Sequence, residues 1–409
     1  MEHAAGNIPR RTWLICGLLL LATVLNYLDR QVISLTAEQI MAEFHLDRQQ
    51  FGEVVSSFRY SYAAVQLFGG WVVDAAGPLL VFPIAVALWS AAGISTGWSQ
   101  TIGGLHRCRF LLGVGEALNW PCALKTTEQL LQPRDRSLAN GIFNGGTAIG
   151  AMIAPVVVTV LVRKSGWRSP FIFSGALGGI WVCLWAFSMR GQSAKMSGRP
   201  IAIRQIPSIM ASIARRKEFS LLMASAVIIN GVSYFLADWI PLYLKTDRGF
   251  GFAQGNALSI LVYAGLDSGN ILTGFFVRRA VMLGATIGNA RNVALGASCV
   301  LMSCAPVAGF TRWRFLALAC IALTAVGVAG FLVIYLTAVQ EVDPLHVGTT
   351  AGMLGGLGNL VYGMLAPGIG RLSDQHQTAV IFSLIGILPW VAYFCIATVI
   401  RAQSYATQS

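Results

Sequence analysis

Twelve stretches of about 20 largely apolar residues follow one another along this chain, and a single water-soluble core cannot bury them all. They lie near 12–36, 51–73, 79–99, 102–123, 137–162 and 168–189, then near 219–244, 254–277, 287–309, 313–338, 347–371 and 378–401. Inside a bilayer every backbone N–H and C=O must find its partner within the protein, which predicts a helix for each stretch. Composition points the same way. Charged residues are 11% of the 409, against about 25% in soluble proteins, and 55% are hydrophobic. That balance argues against a soluble enzyme, a nucleic-acid binder or a disordered chain. The expected fold class is all-α integral membrane, twelve transmembrane helices in two six-helix halves, with the lipid bilayer as its surroundings.

The formal charge of +12 has an explanation that needs no nucleic acid, because Lys and Arg collect in the cytoplasmic loops of membrane proteins. The longest polar stretch, 190–217, holds seven of them and reads as a cytoplasmic linker between an N-terminal half, 1–189, and a C-terminal half, 218–409. With both termini cytoplasmic, 16 of the 29 basic residues fall inside, nine outside and four within or at the edge of spans. The eight cysteines form no CxxC pair and sit mostly in apolar runs, so neither a disulfide framework nor a metal site is expected. Arg10 and Arg11 precede an apolar run that continues past Leu28 without a small-residue cleavage site. It reads as a first span rather than a secretory signal.

The halves echo each other. Gly70-Trp-Val-Val-Asp74 ends the second span and Gly274-Phe-Phe-Val-Arg278 the eighth. Gly146 and Gly150 precede Ala154-Pro155 in the fifth, as Gly358 and Gly363 precede Ala366-Pro367 in the eleventh. A doubled six-helix unit around a midplane site is one of the recurring plans of secondary transporters.

Ionisable groups inside spans cost several kcal/mol, so they pair, face a cavity and mark a pathway. Asp29 and Arg30 sit well inside the first span, in Asn26-Tyr27-Leu28-Asp29-Arg30. Arg109 and Glu116 lie seven residues apart in the fourth, on one helical face, with Gly113 and Gly115 letting a neighbour approach. The rival reading for both constellations is a structural ion pair. A guanidinium suits an anionic substrate through planar, bidentate hydrogen bonds. A carboxylate that burial pushes towards neutrality, and a nearby cation pulls back, suits proton coupling. Secondary candidates are Arg59, with outward snorkelling as its rival, and Asp267 in the eighth span, with helix–helix hydrogen bonding as its rival. Tyr62 and Asn359 offer polar contacts. Asp238, Trp239 and Tyr243, near the outer end of the seventh span, fit an aromatic belt equally well.

On these residues the chain resembles the major facilitator superfamily. Gly70-x-x-x-Asp74-x-x-Gly77 is similar to its loop motif after the second helix, departing at Ala75, Pro78 and Leu79, where basic residues are usual. Asn26 to Arg30 and Arg109 to Glu116 look like the anion:cation symporter family. Glu116-Ala-Leu-Asn119-Trp120-Pro121, the Gly141 to Pro155 run and the Asp267-Ser-Gly stretch look like its hexuronate branch. The specific motifs lie mainly in the first half. The resemblance implies an alternating-access, proton-driven symporter of sugar-acid anions. It would be a monomer in a bacterial inner membrane, driven by the proton gradient, with no cofactor and no metal. By position, Tyr27, Arg30, Tyr62, Thr147 and Asn359 match substrate contacts. Asp29 and Glu116 match proton-coupling carboxylates, with Arg109 as a modulating partner. The alternatives are a same-fold carrier for aldonates, dicarboxylates or aromatic carboxylates, or an exporter. A sensor should carry a soluble domain, and an enzyme a nucleophile–base pair or ligand cluster; neither stands out here.

Overall fold

The structure is a computed structural model describing residues 10–130, 133–190, 206–342 and 347–406. The described residues form helices and short connections, without strands. In the N-terminal half these are α1 (Arg10–Leu35), α2 (Ala37–Phe44), α3 (Arg48–Ala76), α4 (Pro78–Trp98), α5 (Ile102–Glu116), α6 (Asn119–Leu130), α7 (Pro133–Ser165) and α8 (Ser169–Ser188). After α9 (Ile206–Ala214) come α10 (Lys217–Asp238), α11 (Ile240–Thr246), α12 (Phe252–Met282), α13 (Ile287–Met302), α14 (Ala305–Phe310), α15 (Arg314–Val342), α16 (Val347–Asp374) and α17 (Thr378–Ala406). Each expected span coincides with one helix or with two successive helices. Most of the expected 190–217 linker lies outside the described residues.

Three spans are broken, and each break has a local reason. Pro241 and Pro306, at the second position of α11 and α14, lack an N–H to continue the preceding helix. At Ala117 and Leu118 the N–H groups turn back to Gly113 and Gly115, ending α5 directly after Glu116. Two short helices, α2 and α9, were not expected. Asp47 starts α3 with a capping box, its carboxylate taking the Gln50 N–H while the Gln50 side chain takes its own. The chain between α1 and α3 folds into α2, which ends on left-handed His45.

Among the described residues, nine helical stretches are long and apolar enough to cross a membrane by composition alone. The spans missing from that set are α3, α5 with α6, and α16, the ones bearing Arg59, Arg109 with Glu116, and Asn359. Their polarity is put to use in the interior. The repeat is also visible in the packing. Gly146 and Gly150 of α7 stand where an added Cβ would meet Leu20 O and Val24 O of α1, at 2.8 and 2.5 Å. Gly358 of α16 lies likewise against Asn230 of α10. Gly146 and Gly150 thus seat the fifth span on the first, and Gly358 seats the eleventh on the seventh, whereas Gly363 lies against Tyr60 of α3.

Candidate functional site: an arginine cluster between the halves

The chemistry gathers around one ring. Phe58 of α3 has three guanidinium carbons close to its centroid: Arg30 at 5.4 Å, Arg59 at 5.5 Å and Arg109 at 4.9 Å. Any two therefore lie within about 11 Å of each other. Helical spacing explains how α3 serves both halves. Phe58 and Tyr62 are one turn apart and face α1 and α5. Arg59, one residue on, is turned about 100° towards the C-terminal half. The close approach of α5 depends on Gly113, where a Cβ would lie 2.5 Å from Phe58 O and also strike Ser61 Oγ.

Arg30 stands over Tyr27 and Tyr62, at 5.0 and 4.9 Å from their centroids. Its Nε donates to Glu116 Oε2 at 3.1 Å and its Nη2 approaches the same oxygen at 3.0 Å. Nη2 also donates to Asn26 Oδ1, one turn earlier, at 3.3 Å. Glu116 is fully buried, and its Oε1 has no hydrogen-bond partner. Arg109 is buried with both Nε and Nη1 unpartnered. The pairing thus differs from the one suggested by the seven-residue spacing of Arg109 and Glu116. Both are buried on α5, but Arg30 of α1 takes the carboxylate.

Asp29 also departs from expectation. Neighbouring residues on a helix point about 100° apart, so Asp29 leaves Arg30 and faces the seam of α4 and α8. Its Oδ1 lies 3.9 Å from where a Cβ of Gly93 would be, and its buried Oδ2 has no partner. No ion pair joins it to Arg30 among the described residues.

Arg59 is buried rather than snorkelling. It enters the other half, donating to Asp238 Oδ2 at 2.7 Å and Asn359 Oδ1 at 3.2 Å. Tyr234 lies under its guanidinium at 4.0 Å and Tyr362 at 5.2 Å. Asn359 donates to Gln66 Oε1 at 3.2 Å and Tyr234 Oη at 3.0 Å. The structure therefore brings Tyr27, Arg30, Tyr62, Arg109, Glu116, Arg59 and Asn359 to one region. Two further candidates lie on α7 and α12. Thr147 is half-buried on α7, beside Gly146 in the seam with α1. Asp267 is half-buried on α12, two residues before Gly269, which packs on α15. Sequence reasoning missed Phe58, Tyr234, Tyr362 and Gln66, which look like ordinary span residues. It also left Asp238 undecided between a site residue and an aromatic belt; one carboxylate across the protein from an intramembrane arginine was the available signal.

Hydrogen bonds between the halves, among the described residues, run from this region to one end of the bundle. Ser56 Oγ donates to Gly363 O at 2.6 Å. At the end itself the Asp374 carboxylate takes the Arg48 and Gln49 N–H groups at the start of α3, at 3.2 and 3.1 Å. Lys245 Nζ donates to Leu35 O at the end of α1, at 2.9 Å. Each pairs a side chain of one half with the helix terminus of opposite partial charge in the other. Arg48 adds an ion pair to Asp247 at 2.8 Å and a bond to Ser373 Oγ. Tyr263 donates to Gln31, and Asn256 to Thr159 at 3.1 Å. At the opposite end Asp74 pairs with Lys125 of its own half at 3.0 Å, without the basic residues the loop motif usually carries after it.

On the closed end, outside the spans, Glu43 accepts from Arg168 and Trp167. Those bonds hold its carboxyl below the usual carboxylate range.

Comparison with known proteins agrees with this architecture. The chain is 31% identical over 372 residues to a probable sulfoacetate transporter of Cupriavidus necator, covering 87% of this chain and 85% of that one. It is 25% identical over 411 residues to a hexuronate transporter of Escherichia coli K12, covering 95% and 94%. Among solved structures, a D-xylose–proton symporter superposes with a TM-score of 0.74 at 16% identity, covering 94% and 97%. The family model of the Major Facilitator Superfamily matches residues 19–360. With its two helical halves meeting at a buried arginine cluster, this multi-pass membrane protein belongs to the Major Facilitator Superfamily of transporters.

Proposed function

We propose that the protein imports small sugar-acid anions of the hexuronate type together with protons, by alternating access, across a bacterial inner membrane with both termini cytoplasmic. One observation carries the reading. Arg30 is framed by Tyr27 and Tyr62 and held by a single carboxylate, Glu116, at 3.0 Å. A substrate carboxylate can take that partner's place through the same planar donors. A proton on Glu116 releases Arg30, so proton and anion binding favour each other. The neighbouring Arg109, with two buried unpartnered donors, is available to the substrate or to the released glutamate. Tyr27, Tyr62 and Asn359 offer hydrogen bonds to hydroxyls. Asp29, away from the cluster, serves as a second proton acceptor. On this orientation the closed end faces outwards. The relatives named as hexuronate and galacturonate transporters support the substrate class.

A second reading has its own support. The 31% identical relative is named for sulfoacetate, an anion with two acidic heads, and the cluster sets three guanidiniums against the two carboxylates paired with them. One experiment separates the two. Purified protein in proteoliposomes is given galacturonate, glucuronate, galactonate or sulfoacetate, with and without an inward proton gradient. Gradient-driven accumulation of the uronates supports the first reading, and accumulation of sulfoacetate alone the second. Accumulation that ignores the gradient overturns the proton coupling.

A further inference from the structure

Arg59 is a side chain of one half seated in a socket built by the other. The socket consists of Tyr234 and Asp238 from α10 and Asn359 and Tyr362 from α16. The ion pair at its centre is among the most buried in the protein, with side-chain exposures of 3% for Arg59 and 8% for Asp238. A carrier must expose its site at both ends in turn. Separating the halves at the end closed here withdraws Arg59, because α3 moves with one half and the socket with the other. Arg59 has a long stem along which its charge can reach water. Asp238 has a short one and stays buried at the end of α10. A carboxylate stripped of its cation in such surroundings costs several kcal/mol unless it is neutralised.

We infer that Asp238 is a proton-binding site of the C-terminal half, matched with Arg59 while this end is closed and with a proton when it opens. The charged and titratable groups facing it are Arg59 from α3, Tyr263 from α12, Tyr362 from α16 and, more remotely, Arg109 from α5, with Tyr234 of α10 lying under the Arg59 guanidinium. Arg59 and Arg109 are the cations among them, and the phenols carry no charge near neutrality. Withdrawing Arg59 therefore removes the direct counter-ion. The exchange makes opening of this end consume one proton. Acidification then favours the open form even without substrate and without Asp29 or Glu116.

The test needs no knowledge of the substrate, so its failure is distinct from failure of the transport reading. Spin labels are placed at Ala42 and Gln377, exposed positions on opposite halves at the closed end, in full-length protein carrying Asp29→Asn and Glu116→Gln. Electron–electron distance measurements follow the open fraction from about pH 8 to about pH 5. One linked proton raises the open-to-closed ratio by up to about tenfold per pH unit within the titrating window. Adding Asp238→Asn should abolish that dependence. So should Arg59→Gln with Asp238→Asn, a pair that leaves no lone buried charge to compromise folding. A pH-independent ratio in the starting variant overturns the inference. So does a pH response that survives either Asp238 substitution.

Discussion

Replacing Glu116 by Gln separates its role as competitor for Arg30 from its role as proton carrier. In the structure Oε2 takes two close approaches from the Arg30 guanidinium, at 3.1 and 3.0 Å. A hydrogen bond to a charged group contributes about 1.5–3 kcal/mol and a neutral one about 0.5–1.5. Exchanging carboxylate for amide at the same volume therefore weakens the competitor by about 1.5 kcal/mol, roughly tenfold in an equilibrium constant. A substrate anion that must displace residue 116 should bind the Gln variant about tenfold more tightly where the parent Glu116 is charged. The sign with pH follows. As pH falls, the parent protonates Glu116 and gains affinity, while the variant has nothing there to titrate, so the two converge. Calorimetric titration of galacturonate into both proteins across pH reads the gap directly. In proteoliposomes the variant should still exchange labelled substrate at equal concentrations, yet fail to accumulate it against a gradient, having no proton to release. Parent-level accumulation removes Glu116 from coupling. An affinity gap that does not shrink on acidification refutes the competition.

Arg30→Lys keeps the charge but loses the planar fork that spans Glu116 and Asn26, so uptake should fall at least tenfold; normal uptake sinks the assignment. Gly113→Ala drives a methyl into Phe58 O and Ser61 Oγ and should cost about 1–3 kcal/mol by overpacking, read as a lowered melting temperature in detergent. Were Gly113→Ala as stable as the parent, the tight α3–α5 crossing would be wrong. Glu43 has a depressed folded-state pKa, so its contribution is present above the unfolded carboxylate value and disappears as pH falls through the lower folded one. Its side chain is well exposed. Glu43→Gln should thus cost less than about 1 kcal/mol, and only above about pH 4; an equal loss at lower pH contradicts the ion pair.

Much of the fold was legible because bilayer physics is local. An apolar run of the right length must be a helix, and every expected span is helical in the structure. Breaks were harder to read. Pro241 and Pro306 sit at the start of new helices, whereas Pro155, Pro367 and Pro389 lie inside continuous ones. The ring itself is the same in each case; in α16 the carbonyl freed by Pro367, Gly363 O, is taken by Ser56 Oγ of the other half. Residue type and depth likewise singled out Arg30, Arg109 and Glu116, since ionisable groups inside a span are costly and need a partner or a cavity.

Sequence alone could not decide their partners. Spacing along α5 offered Arg109 to Glu116, yet the carboxylate belongs to Arg30, 86 residues away. Adjacency offered Arg30 to Asp29, yet helical rotation separates them. Arg59 and Asp238, 179 residues apart, share no pattern that announces a pair. Helix formation and membrane burial depend on a window of about 20 residues, and the chain carries that information in every window. The partner of a buried charge is set by where distant helices cross. Those crossings rest on steric details such as Gly113 against Phe58 O, which acquire meaning only once both helices are in place.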